Sequence, residues 1–212
     1  MKTLQIKRIN NILKNEDVPS VFSDKQIPYH TLTCVNWSEY PYQPKVQFAM
    51  AHDGQNIYFH WQVDEVNRKA VCEVDQGEVW KDSCVEFFVT FDGSTYYNVE
   101  TNCIGKVLVA SGPERNNRTS VPQPLLDKIV RNSSLGAQAV NLGAGAWEMS
   151  LTIPMDLFYL DSISSLNNLT ANANFYKCGD DLNPPHFLSW NPIDNKTPDF
   201  HLPQFFGKIH FE

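Results

Sequence analysis

Lys45-Val46-Gln47-Phe48-Ala49-Met50-Ala51-His52-Asp53-Gly54-Gln55-Asn56-Ile57-Tyr58-Phe59-His60-Trp61-Gln62-Val63 is the stretch on which the architecture turns. Val46, Phe48 and Met50 recur at every second residue, as do Ile57, Phe59, Trp61 and Val63. A period of two sends successive side chains to opposite faces of an extended chain, so each run reads as a strand with one apolar face. Asp53-Gly54 supplies the turn between them, because glycine reaches positive φ at no steric cost. The stretch reads as a β-hairpin.

The same period continues outward. Val85, Phe87, Val89 and Phe91 form an apolar stripe interleaved with Glu86, Phe88 and Thr90, and Asp92-Gly93 ends it. Tyr97, Val99, Thr101 and Cys103 alternate with Tyr96, Asn98, Glu100 and Asn102, and Gly105 then turns the chain into 106–110. Trp147, Met149, Leu151 and Ile153 repeat the pattern up to Pro154, and 171–178, 187–190 and 207–211 complete the set. No long segment keeps a helical period; a short helix is expected over 154–160, with proline in its first turn. The region 111–146 is rich in Gly, Asn, Pro and Ser and reads as long loops around one weak strand. Many short strands separated by turns imply an all-β, antiparallel β-sandwich of jelly-roll type, with long loops and at most a short helix. One domain over 1–212 is expected, with 1–44 as an N-terminal extension packed on it.

Composition narrows the function. The chain has 212 residues, 42% hydrophobic and 19% charged, enough to build a core without staples. A net charge of −7 and the absence of a basic stripe argue against nucleic-acid binding. Five scattered cysteines without a Cys-x-x-Cys spacing fit neither a disulfide framework nor a zinc finger, and buried free thiols are expected. The first residues hold no signal-like apolar run, and no stretch reaches transmembrane length. A cytoplasmic protein without membrane contact is the expectation, or a secreted one if a leader has been removed. His-Glu-x-x-His, Gly-x-Ser-x-Gly and phosphate-cradling glycine loops are missing from the sequence.

Two aromatic clusters stand out. Val79-Trp80-Lys81-Asp82-Ser83-Cys84-Val85-Glu86-Phe87-Phe88 places an indole in a loop just before a strand, with Glu86 on the face opposite Val85 and Phe87. Ser189-Trp190-Asn191-Pro192, Pro198-Asp199-Phe200-His201-Leu202-Pro203 and Phe205-Phe206-Gly207 gather aromatics in proline-bounded loops. A pyranose has an apolar C–H face for stacking and a rim of hydroxyls. A flat ring supplies contact area at low entropy cost, and a carboxylate accepts strongly from hydroxyls. Trp61 and Trp147 read as core from their stripes, and Trp190 leans the same way. For Trp80 and Phe200 a packing role and a ligand role are comparably supported.

Trp80, Asp82-Ser83, Val85-Glu86, then Trp147 with Ile153-Pro154, then Ser189-Trp190 and Phe206-Gly207 together resemble the family-9 carbohydrate-binding modules. The resemblance runs from about Lys45 to the C-terminus. It implies a β-sandwich that holds the end of a glycan between two aromatic rings, which fall at Trp80 and Phe200, the latter a phenyl where a sugar-binding member can carry Trp. It implies a hydroxyl-binding glutamate at Glu86. Its basic site residue falls near Asn98, so Asn98 is a polar contact here and Arg115 or Arg118 would have to supply the positive charge. The ligand-binding set is thus Trp80, Glu86, Asn98 and Phe200, with a saccharide as ligand, no cofactor, and association with a glycoside hydrolase. Members that hold calcium use carboxylates; Asp64, Glu65, Asp82 and Asp92 are the available acids, but they form no ordered oxygen-ligand loop, and no metal is expected.

Two other readings stay open. A glycoside hydrolase would need two carboxylates about 5–9.5 Å apart across a cleft, and Glu86 with Glu100 is the pair to nominate. A haem-binding sandwich would need Met50 and a histidine as axial ligands, although Met50 sits on a core stripe.

Overall fold

The computed structural model describes residues 1–12 and 14–212. Its strands are β1 (Thr3–Arg8), β2 (His30–Thr31), β3 (Cys34–Val35), β4 (Lys45–His52), β5 (Asn56–Glu65), β6 (Arg68–Ala70), β7 (Cys84–Thr90) and β8 (Tyr96–Asn102). They continue as β9 (Val107–Glu114), β10 (Asn117–Ser120), β11 (Val130–Ser133), β12 (Val140–Leu142), β13 (Gly145–Pro154), β14 (Thr170–Gly179), β15 (His186–Ser189) and β16 (Gly207–Phe211). Two short helices, α1 (Val18–Asp24) and α2 (Gln123–Leu126), lie between them. No helix among the described residues is long and apolar enough to cross a membrane.

The opening hairpin forms as its period demands. β4 and β5 pair from Lys45 opposite Asp64 to His52 opposite Ile57. Gly54 takes φ +100°, and the Asp53 carboxylate accepts the N–H groups of Gln55 and Asn56 at 2.8 and 2.7 Å. One layer runs β4-β5-β13-β11 and the other β10-β9-β8-β7-β14-β16. The apolar stripes face each other between them: Phe48 stacks on Phe175 with ring centroids 4.0 Å apart, and Phe59 meets Phe87 at 5.0 Å. Trp190 sets its edge on Phe175 at 5.4 Å, and Trp61, Trp147 and Met50 are buried in the same core. All the Trp residues read as core are core, and Met50 packs there as an ordinary apolar side chain.

Three expectations change. The stretch 1–44 is not an appendage, because β1 lies inside the fold. Its first four residues pair with β16 and its last two with β4, so one strand passes between both layers. Both pairings are parallel, whereas the long ladders that build the two layers are antiparallel. Only Leu4 and Ile6 face inward from β1, too few for a period to register, and β2 and β3 add two-residue pairings of their own. Downstream, α1 buries Val18 and Phe22 against Ala49, Ala51 and Tyr58 on the outer side of β4 and β5. The region 111–146 holds β10, β11 and β12 besides α2, rather than one weak strand. These strands are short and largely exposed, so they lack an apolar stripe. The helix expected after Pro154 shrinks to one 3₁₀ turn over Met155–Leu157.

A charged cluster closes one end of the core. Lys177 Nζ lies 3.0 Å from Glu65 Oε2, and both side chains are fully buried. Glu65 Oε1 accepts the indole N–H of Trp147 at 2.6 Å and also the Ser83 hydroxyl. Lys177 donates to His186 Nε2 at 2.9 Å, while His186 Nδ1 hydrogen-bonds the Pro184 carbonyl at 3.0 Å. That pattern requires the neutral Nδ1–H tautomer, and burial, aided by the Lys177 charge, pushes the imidazole down to about 3. The cluster joins β5, β13, β14 and β15 beneath the candidate site.

Candidate functional site

The outer face of the β7–β8–β14 layer is as buried as its inner face, because the chain after β15 folds back over it. Asn191 anchors this return: its N–H donates to Asn174 Oδ1 at 2.8 Å and its amide to the Phe205 carbonyl at 2.7 Å. Trp37 holds the far side through Nε1 to the Asn195 carbonyl at 2.9 Å. A cleft of about 370 Å³ is left between this return and the strands. Trp80, Glu86, Asn98 and Phe200 all line it, although they come from three strand or turn segments and a distant loop.

Each of the four is held differently. Trp80 sits in the 3₁₀ turn Val79–Lys81, half-buried, with buried Val79 pinning the turn below it. Its carbonyl accepts the Asp180 N–H at 3.2 Å, tying the turn to the end of β14. Phe200 is more enclosed than an open platform, with 8% of its surface exposed. One face stacks on Tyr176 at 4.1 Å and 8°, and Tyr176 donates its hydroxyl to the Phe200 carbonyl at 3.2 Å. Tyr176 thus sets the angle of the ring, and what Phe200 offers the cleft is its remaining surface.

Glu86 and Glu100 are directly opposed across β7 and β8. Alternation puts both on the outer face, where opposed Cβ atoms lie about 4.5–5.5 Å apart. They are therefore neighbours on one wall. Burial raises both above the usual carboxylate range; Glu86 goes well above it, helped by the Glu100 charge, and Glu100 rises to about 7. Cys178 donates its thiol to Glu86 Oε1 at 3.0 Å, and Asn98 donates its amide to Glu100 Oε1 at 2.8 Å.

Of the two arginines named as sources of positive charge, Arg118 reaches Asn98. Its Nε and Nη2 donate to Asn98 Oδ1 at 2.9 and 2.5 Å, and Nη2 also donates to the Tyr96 and Ala110 carbonyls. The guanidinium lies 4.1 Å over the Tyr96 ring. A hydrogen-bond chain therefore runs from Arg118 through Asn98 to Glu100, which accepts. Arg115 stays at the rim, paired with Asp199 at 3.4 Å. Phe187, Leu108 and His201 also face the cleft. Leu108 and Phe187 carried no sequence signal, because each belongs to a short apolar run that reads equally well as core, whereas His201 lies in the proline-bounded aromatic cluster around Phe200.

The acids considered for calcium do not fit one ion. Glu65 is committed to Lys177, Asp64 is exposed, and Asp92 accepts the turn N–H groups of Ser94 and Thr95. Asp82 accepts the N–H groups of Val71 and Cys72 and the Asn102 amide, so its oxygens are in use. A larger hollow of about 640 Å³ lies between Arg8–Asn11 and Asp53–Asn56, and no aromatic ring is in its wall.

A sandwich with an aromatic and carboxylate cleft on the outer face of one sheet defines a class of binding domain, and comparison with known proteins agrees. Residues 16–211 match the model of Carbohydrate-binding family 9, and the chain belongs to that family. A protein from Bacteroides uniformis ATCC 8492, described provisionally as carbohydrate-binding, is 42% identical, with a TM-score of 0.95 over 100% of this chain and 99% of that one. Two structures of a family 9 carbohydrate-binding module from Caldicellulosiruptor kristjanssonii share the fold at 15% identity. The glucose complex has a TM-score of 0.60 over 100% of this chain and 96% of that one, and the cellotriose complex 0.64 over 100% and 94%. No curated protein matches the chain.

Proposed function

We propose that this chain is a non-catalytic saccharide-binding module whose ligand occupies the cleft between Trp80 and Phe200. The observation that carries the reading is the convergence of Trp80, Glu86, Asn98 and Phe200 on one cleft of about 370 Å³. Trp80 and the free surface of Phe200 stack against the C–H face of a sugar ring. Glu86 and Asn98, oriented by Cys178 and Arg118, meet its hydroxyls. Side-by-side placement of Glu86 and Glu100 on a single wall suits hydroxyl recognition better than attack from two sides of a glycosidic bond.

Glucose and cellotriose, bound in the two Caldicellulosiruptor structures, are the first probes, followed by a wider glycan panel in isothermal titration calorimetry. Trp80→Ala is the clean variant, since Phe200→Ala would also strip Tyr176 of its stacking partner. Loss of the indole is expected to weaken binding by about 1–2 kcal/mol, roughly 5- to 30-fold. Silence from every glycan, with Trp80→Ala changing nothing, would end this proposal.

A further inference from the structure

Two thiols converge on the Glu86 carboxylate: Cys178, which donates to it, and Cys84. Cys84 and Cys178 are directly opposed across β7 and β14, so both side chains leave the same face of the sheet. Glu86, two residues along β7, leaves that face too. The two Sγ atoms and a Glu86 carboxylate oxygen all lie within 4.8 Å of one another, and all three residues are buried. Both cysteines are free thiols.

We propose that Cys84, Cys178 and Glu86 form a binding site for a thiophilic divalent cation of the zinc class, with its fourth position facing the saccharide cleft. A tetrahedral ion with sulfur at about 2.3 Å and oxygen at about 2.0–2.2 Å spans ligand-to-ligand edges of roughly 3.5–3.8 Å, within the span these atoms already occupy. Two sulfurs with one carboxylate select zinc, cadmium or cobalt over magnesium and calcium. Binding releases both thiol protons, and any proton on the Glu86 carboxyl, to solvent, leaving two thiolates and a carboxylate on a doubly charged ion with a net charge of −1. Glu86 and Cys178 both line the cleft, which gives the ion its route in and leaves one coordination position for water or a ligand hydroxyl.

The test uses the full chain, reduced with a phosphine, freed of metal, and titrated with cobalt(II) alone in the absence of sugar. The expected result is thiolate-to-cobalt charge-transfer absorption that saturates at about one ion per chain and is displaced by zinc. Cys34→Ser keeps the signal, Cys84→Ser and Cys178→Ser abolish it, and Glu86→Gln weakens cobalt binding by about tenfold or more. If a serine variant loses the circular dichroism of the parent, wild-type protein decides the matter: bound zinc must protect Cys84 and Cys178, and not Cys34, from alkylation mapped by mass spectrometry. Folded, reduced protein without the charge-transfer band, or the band surviving in both serine variants, overturns the proposal. Because no sugar is present, that failure leaves the saccharide reading untouched.

Discussion

Replacing Lys177 by Met should be among the most damaging single changes to this fold. The ammonium lies 3.0 Å from Glu65 Oε2 with both side chains fully buried. At an effective dielectric of about 20, that separation gives an attraction of about 5.5 kcal/mol, which offsets the cost of desolvating the two charges. Met fills a similar volume but leaves the Glu65 carboxylate buried opposite a thioether, and breaking such a pair from one side costs about 3–5 kcal/mol. For a chain of this size each kcal/mol lowers Tm by about 2–4 °C, so a fall of roughly 6–20 °C is expected in a thermal melt. Glu65→Gln on the Met background keeps an acceptor for the Trp147 indole and removes the stranded charge. That double variant should recover more than half of the loss. A cost below about 1 kcal/mol for Lys177→Met, or a double variant no better than the sum of the singles, would refute the reasoning.

Other outcomes follow from the same geometry. Gly207→Ala would bring a Cβ within 2.4 Å of the Trp190 ring and 2.8 Å of the Lys2 carbonyl, so denaturant unfolding should show a loss of about 1–3 kcal/mol. Arg118→Lys keeps the charge but not the fork that grips Asn98 and two carbonyls; calorimetry should show weaker glycan binding, by about 1 kcal/mol, and no better than Arg118→Ala. His186 is held down to about 3 in the folded chain against 6.5 when free. The unfolded chain therefore binds the extra proton in that window, and the stabilisation from neutral His186 is complete above 6.5 and is lost as pH falls towards 3. His186→Gln should flatten that acid limb of the stability curve, and an NMR titration placing His186 near its free value would contradict the assignment.

The sequence disclosed the parts of this molecule that repeat locally. The β4–β5 hairpin, the Val85–Phe87–Val89 stripe and the core placement of Trp61 and Trp147 need only alternation and a turn. Trp80 and Glu86 were legible in the same way, since Trp80 precedes a strand and Glu86 points away from an apolar stripe, while Asn98 and Phe200 followed from the family resemblance. What stayed hidden depends on partners far along the chain. A lysine at 177 reads as a surface residue until Glu65 is brought beside it, because lone charges are rarely buried. Nothing local announces that Cys84 will face Cys178, or that Tyr176 will occupy one side of the Phe200 ring.

Thr3–Ile6 pair with Lys208–Phe211, so a strand at one end of this domain has its hydrogen-bonding partner at the other end of the domain's sequence. Until β16 is in place, β1 presents an unsatisfied edge and the layer beside β4 cannot join the layer beside β14 through it. Closure over so long a span of chain makes slow, late, all-or-none assembly the natural course for this domain.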